Sequence, residues 1–257
     1  MAVLVTRPEA QGVELCQQLE QLGITALHHP LITIEAGADL PHLLPDLHHC
    51  DTVIAVSQHA VAFSDQYLRQ QQSNWATSTR YLAVGQKTAH LLSKVTGQSV
   101  NYPEVSDSEH LLELTELQSV TGQKIMILRG NGGRELIHQT LSERGALVTY
   151  KEVYQRTDLP FDANHAYQQW QQAQVDTLII TSGHQLAFFM SQLDSSIIDN
   201  SVINSSVINS SISTWARQLK LLVPSERIAN DAKTMGFEHI VVTRSAANPD
   251  LVAALQP

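Results

Sequence analysis

Cysteine is nearly absent from this 257-residue chain: Cys16 and Cys50 are the only two. That excludes a disulfide framework and a thiolate zinc site. Basic residues are outnumbered, 16 Lys and Arg against 25 Asp and Glu, for a formal net charge of -9. Dense Lys and Arg carry phosphate-backbone binding, so a general nucleic-acid binder is excluded. An anionic small molecule is not, because a few guanidinium groups can dominate the field in a cleft. Apolar segments such as Leu178 to Thr181 and Lys220 to Val223 are strand-sized and far short of a bilayer span. The opening MAVLVTRPEA lacks the basic region, apolar core and cleavage site of a signal peptide, so a cytoplasmic chain without membrane association is expected. Histidine is plentiful at 12 but scattered. His28-His29 and His48-His49 are adjacent pairs, which point opposite ways on a strand and share no helix face. No metal site is expected.

What is present is globular composition, 43% hydrophobic and 16% charged, in strand-helix alternation. Ala2 to Thr6 reads as a buried strand ended by Arg7-Pro8. Glu9 to Leu22 has a helical apolar period closed by Gly23, and Ala26 to Ile34 reads as a second strand. A β-α-β opening implies a parallel sheet with a right-handed crossover. Helix Leu40 to Leu47, strand Thr52 to Val56, helix Ala60 to Leu68, strand Tyr81 to Val84 and helix Thr88 to Val95 follow. Then come a short strand Ser99 to Asn101, helix Ser108 to Gln118 capped by Asp107 or Ser106, strand Lys124 to Leu128, helix Arg134 to Arg144 and long strand Ala146 to Tyr154. Helix Ala163 to Ala173, strand Thr177 to Ile180, helix His184 to Leu193, strand Leu219 to Val223, helix Glu226 to Met235, strand His239 to Thr243 and helix Pro249 to Leu255 complete the chain. The fold class expected is α/β: two doubly wound parallel-sheet domains, Rossmann-like or flavodoxin-like.

Ala26 to Glu35 and Ala146 to Arg156 carry polar residues where a buried central strand would be apolar, which suits connectors crossing between domains. A discontinuous domain of residues 1–34 and 158–257 would then flank a continuous one of 38–150, with a two-stranded connector at about 26–37 and 148–158. The cleft would lie between domains. Asp194 to Thr214 is Ser, Ile and Asn rich and holds the tandem repeat SVINS-SVINS at Ser201 to Ser210, which reads as a duplicated surface insertion.

In open parallel sheets ligands bind beyond the carboxyl ends of strands. Those ends hold Thr6-Arg7-Pro8, Ser57-Gln58-His59, Gly85-Gln86-Lys87-Thr88, Arg129-Gly130-Asn131-Gly132-Gly133-Arg134, Thr181-Ser182-Gly183 and Pro224-Ser225-Glu226-Arg227. One theme recurs: a hydroxyl or glycine at a helix N-terminus with a cation nearby, where free N–H groups and the helix dipole favour anions. Ser57, Thr88, Ser182 and Ser225 could each be a plain N-cap. Arg129 and Arg134 could fork onto carboxylates. The glycine-rich RGNGGR matches neither nucleotide fingerprint, and no catalytic triad or paired-carboxylate motif stands out. Tyr154, at the end of a connector strand, is a candidate proton donor or an ordinary strand tyrosine.

The opening VLVTRPEAQGVELCQQLEQLGITALHHPLITIE is similar to the N-terminus of uroporphyrinogen-III synthases. So are VSQHAV (56–61), AVGQKTAHLL (83–92), ILRGNGGRELIHQTLSERGALVTYKEVYQRT (127–157), TSG (181–183) and the tail from Val223 to Leu255. The resemblance implies an enzyme that cyclises hydroxymethylbilane, an acidic linear tetrapyrrole, with loss of water and inversion of the terminal ring through a spiro intermediate. It implies no cofactor, no metal, a monomer and a possible hand-over from hydroxymethylbilane synthase. It further implies Tyr154 as the catalytic group assisting loss of water. Substrate-binding positions would be Arg7, Ser57, Thr88, Arg129, Gly130, Asn131, Thr181, Ser182 and Ser225. Two segments depart from the family pattern: Asp194 to Thr214, and Ser225-Glu226-Arg227 in place of a hydroxyl pair. A two-lobed anion-binding protein without catalysis, and a phosphosugar-binding enzyme using RGNGGR, are the alternatives from other classes.

Overall fold

The computed structural model describes residues 1–194 and 205–256. Contacts divide the chain into two compact units, one of Met1–Thr33 with Thr157 onward, the other of Ile34–Arg156. In chain order β1 (Ala2–Val5), α1 (Glu9–Gln21) and β2 (Thr25–His28) open the first unit. The second unit follows: β3 (Ile32–Ala36), a 3-10 turn at Leu40–His42, α2 (Leu43–Leu47), β4 (Thr52–Ala55), α3 (Gln58–Gln70), β5 (Arg80–Ala83) and α4 (Gln86–Thr96). It continues through α5 (Ser108–Leu111), a 3-10 turn at Thr115–Leu117, β6 (Lys124–Gly130), α6 (Leu136–Glu143) and β7 (Leu147–Asp158). The first unit then resumes with α7 (Ala163–Gln172), β8 (Thr177–Ile179), α8 (Gly183–Asp194), α9 (Ser205–Gln218), β9 (Lys220–Val223), α10 (Glu226–Thr234), β10 (Ile240–Val242) and α11 (Asn248–Ala253).

Each unit is a five-stranded sheet between helices. The first has the order β10-β9-β8-β1-β2, parallel throughout. Counted within the unit this is the doubly wound order 2-1-3-4-5, whose direction of winding reverses between β1 and β8. The second has the order β3-β7-β6-β4-β5, with β4, β5, β6 and β7 parallel. Its winding reverses between β4 and β6. The central strands are apolar on both faces, as two helical layers require: β1 and β4 are buried at every position. Two core clusters, one on each face of its sheet, hold each unit together. Among the described residues no helix is long and apolar enough to cross a membrane.

Four expected elements come out differently. The short strand expected over Ser99 to Asn101 is reduced to a single bridge from Asn101 to Leu82. Ala26 to Glu35 is not one strand; β2 stops at His28 and β3 starts at Ile32 in the other sheet. Pro30 between them has no N–H for a ladder, and the chain is pinned across the gap by His29 and Leu31 N–H bonds to the Val5 and Thr6 carbonyls. The helix expected over Ser108 to Gln118 splits into α5 and a 3-10 turn. The carbonyls of Leu112, Leu114 and Leu117 take hydrogen bonds from the Gln118 and Arg144 side chains, so the backbone need not continue the helix to satisfy them. The polar segment Asp194 to Thr214 is not a surface loop throughout: α9 begins at Ser205, while residues 195–204 lie outside the described part. Ile212 and Ala216, one turn apart, are fully buried in the first unit's core, and Trp215 stacks on Trp170 at 5.7 Å. Burial on one face overrides the loop-like composition. Ile212→Ala is expected to lower stability to urea by about 2–4 kcal/mol; a loss under about 0.5 kcal/mol, the scale of a neutral surface change, would mean α9 is not packed there.

His29 sits edge-on to Phe161 (centroids 4.6 Å apart) and to Trp170 (5.2 Å), its Nε2 buried without a partner. Burial first, and then neighbouring His28, push its pKa down from 6.5 to about 4. The unfolded chain therefore binds a proton on His29 that the native fold refuses, so stability is lost as pH falls from 6.5 toward about 4. Urea unfolding at pH 7 and at pH 5 should show this loss, and His29→Gln should flatten it; an unchanged pH slope in the variant would place the titrating group elsewhere.

Candidate functional site

In the second unit the winding reverses between β4 and β6, and the loops after those strands carry Ser57 and Arg129 to Arg134. Ser57, in extended conformation, caps α3: its Oγ accepts the Ala60 N–H at 3.1 Å. The same hydroxyl donates to the Tyr154 oxygen at 3.2 Å. Tyr154 reaches it because the β6–β7 ladder slips at Arg129/Gly130, where Arg129 pairs with Glu152 but Gly130 with Tyr154. The extra residue, Val153, is a β-bulge, and beyond it the side chains change face. Tyr150 packs with the cluster holding Ile127 and Ile137, whereas Val153 and Tyr154 lie in the opposite one with Leu128 and Ala60. Tyr154 is 3% exposed. Phe63 stacks beside its ring at 6.3 Å and His59 lies 5.6 Å away. Burial, then the Arg156 charge, hold His59 below the ordinary histidine range.

Gly130 makes this packing possible. A Cβ there would lie 2.5 Å from two Tyr154 ring carbons. Asn131 pins the strand beyond: its N–H donates to the Tyr154 carbonyl at 3.2 Å. Its side chain accepts the Arg156 N–H at 2.7 Å and donates to the Arg156 carbonyl at 3.1 Å. The amide group of Asn131 is therefore spent on β7. Arg156 in turn reaches the Tyr154 oxygen at 3.4 Å.

Arg129 lies on the other face, buried, with its guanidinium 4.3 Å above the Tyr150 ring and paired to Glu135 at 3.0 Å. It borders a cavity of about 160 Å³ with Val56, Val84, Ile127, Ile137 and Tyr150. Arg134 makes a two-pronged bond to Glu109 on the surface. Thr88 is buried in the first turn of α4, but Gly85 is the cap, so the capping role open to Thr88 is not the one it plays. Three residues inside the helix, its hydroxyl cannot serve the first free N–H groups as an N-cap does.

In the first unit the winding reverses between β1 and β8. Thr6 Oγ1 bonds the Ile179 carbonyl at 2.7 Å, tying the two strand ends. Ser182 Oγ accepts the Gln185 N–H at 3.2 Å. Gln185, 1% exposed, takes the Thr181 N–H (3.2 Å) and hydroxyl (2.9 Å) and donates to the Thr6 carbonyl at 3.3 Å. Arg7 is buried and committed inward, to the Ala246 carbonyl at 2.6 Å, Gln11 at 2.6 Å and Asn248. Burial holds its guanidinium below its ordinary range, and its Nε has no partner. Ser225 caps α10 through the Ile228 N–H at 3.5 Å.

Ser57, Gly130, Asn131 and Tyr154 thus form one cluster, Arg129 stands on the other sheet face, and Thr181 and Ser182 meet through Gln185. Gln185, Arg156 and His59 are absent from the expected set. Gln185 follows Ser182 at capping-box spacing, a readable signal. Arg156 is two residues beyond Tyr154, hence on its face of a strand. Among the described residues no group of three or more His, Cys, Asp or Glu could hold a metal ion. Gly130→Ala is expected to displace the Tyr154 ring and cost about 1–3 kcal/mol in urea unfolding, as overpacking does; an unchanged midpoint would show that the ring yields freely.

Comparison with known proteins agrees along the chain. The family profile described as uroporphyrinogen-III synthase HemD matches residues 13–253. The chain is 42% identical over 260 residues to a uroporphyrinogen-III synthase of Escherichia coli (strain K12), and 39% to one of Salmonella typhimurium, covering the whole of both chains in each case. Its fold is similar to a mutant uroporphyrinogen III synthase of Thermus thermophilus, with TM-score 0.62 at 18% identity over 99% of this chain and 97% of that one. A synthetase of the same name from Helicobacter pylori gives 0.56 at 13%, over 99% of each chain. The chain belongs to the uroporphyrinogen-III synthase family.

Proposed function

We propose that the chain is a cyclising lyase of tetrapyrrole biosynthesis that converts hydroxymethylbilane to uroporphyrinogen III, with loss of water and inversion of the terminal pyrrole ring. The 42% identity along the whole of both chains to a uroporphyrinogen-III synthase carries this. The pyrrole electrons of the substrate expel the hydroxyl, so the protein's main task is to hold a flexible chain folded back on itself. Tyr154 donates the proton that turns the leaving hydroxyl into water. Its contact with Ser57 supports that role.

The acidic arms of the substrate are held at the strand-end loops of each unit, at Arg7, Ser57, Thr88, Arg129, Gly130, Asn131, Thr181, Ser182 and Ser225. Arg7, Arg129 and Asn131 already have internal partners. Backbone N–H groups therefore carry more of the binding than charged side chains do. The enzyme works without a cofactor, as a cytoplasmic monomer that can receive its substrate from hydroxymethylbilane synthase.

Incubation with enzymatically made hydroxymethylbilane, followed by isomer analysis, tests the activity. The type III isomer is expected; only the uninverted type I product, which forms without an enzyme, would refute it. Tyr154→Phe should lower turnover by roughly 10–100-fold, at or below the lower end of the range for general-acid catalysis because the pyrrole electrons do most of the expulsion, while substrate still binds. Wild-type turnover in that variant would remove the tyrosine from the mechanism.

A further inference from the structure

Arg156 is among the residues to which neither the sequence motifs nor the strand-end pattern assigns a role. Four cations of the same unit are committed: Arg129 to Glu135, Arg134 to Glu109, Arg144 to the Leu112 and Leu117 carbonyls, and Lys151 to Asp46. Among the described residues Arg156 makes no ion pair, and the side chain its guanidinium meets is Tyr154. Nη2 lies 3.4 Å from the phenol oxygen and Cζ 5.6 Å from the ring centroid. Its backbone is fixed on both sides by the Asn131 amide, so this position is set even though the side chain is exposed.

The proton directions around the phenol oxygen follow. Ser57 Oγ already accepts the Ala60 N–H, and its own proton is the one directed at Tyr154. A guanidinium can only donate. The Tyr154 oxygen therefore accepts from two donors, and its own O–H is left to point at a third group. His59, held below the ordinary histidine range, supplies no competing charge near neutral pH, so the positive charge beside Tyr154 is that of Arg156.

We infer that Arg156 is a positioning residue for Tyr154: with Ser57 it orients the phenol proton toward the leaving hydroxyl and stabilises the phenolate that forms. This rests on the reaction proposed above. In that step the pyrrole nitrogen lone pair moves toward the ring, the C–O bond of the hydroxymethyl group breaks, and the Tyr154 proton joins the departing hydroxide as water. The phenolate regains its proton when a pyrrole carbon of the closed macrocycle loses one on rearomatisation. Charge on the phenol oxygen exists only after proton transfer begins. The Arg156 interaction is thus stronger in the transition state than in the bound substrate, and it affects kcat more than KM.

The test is steady-state kinetics with hydroxymethylbilane for the wild type, Arg156→Gln, Arg156→Lys, Tyr154→Phe and the Tyr154→Phe/Arg156→Gln pair. Arg156→Gln should lower kcat by roughly 10-fold with KM within about twofold, less than a buried oxyanion donor because Arg156 is exposed and its contact long. Arg156→Lys should recover most of the loss. In the Tyr154→Phe background the Gln substitution should cost nothing further, which a general weakening of the fold would not produce. Wild-type kcat in Arg156→Gln would overturn the inference. So would a raised KM at unchanged kcat, which would make Arg156 a carboxylate grip, or an equal further loss on top of Tyr154→Phe. Absence of type III product from the wild type itself would instead refute the proposed reaction, and this inference with it.

Discussion

Between Arg129 and Gly130 the ladder of β6 with β7 gains one residue, so Val153 and Tyr154 stand against a single partner and Tyr154 passes to the α3 side of the sheet. The other features of the second unit's site depend on that slip. Without it Tyr154, an even number of residues from Tyr150, would share the face of Tyr150 and could not meet Ser57. With it, the ring needs room over β6, which Gly130 supplies by having no side chain. The strand beyond the bulge needs a new anchor, which Asn131 supplies with both ends of its amide. A bulge, a glycine and an asparagine clamp are one device for aiming a phenol.

The charged groups divide by what they are already doing. Arg7 and Arg129 are buried and hold backbone carbonyls, neutral side chains or Glu135. Taking either away from its partners would leave buried polar groups unsatisfied, which costs about 1–3 kcal/mol each. Such cations stiffen the loops at the points where winding reverses. The neutral groups there, Thr181, Ser182 and Gln185 in the first unit and Ser57 in the second, cap helices and tie strand ends.

The α/β class, the parallel sheets and most element positions are legible in the sequence, because buried strands read as short apolar runs and helices carry a 3.6-residue period. Strand-end positions of Ser57, Ser182 and Ser225 follow from the same pattern, and each does cap its helix. The chain-long motifs, from VLVTRPEAQ to the tail after Val223, name the family, since their order and spacing are properties of the sequence itself. What tertiary structure alone decides is non-local. The break at Pro30 turns one apparent strand into edges of two sheets, and α9 is helical because Ile212 and Ala216 find a core to enter. The bulge at Val153 has no local signature, because register is a relation between two strands; it separates Arg129 from Tyr154 and brings Ser57 and Arg156 to the same phenol, while Asn131 holds the backbone of Tyr154 and Arg156. A linear pattern fixes which face a residue shares with its own neighbours, and only pairing with β6 sets which face that is.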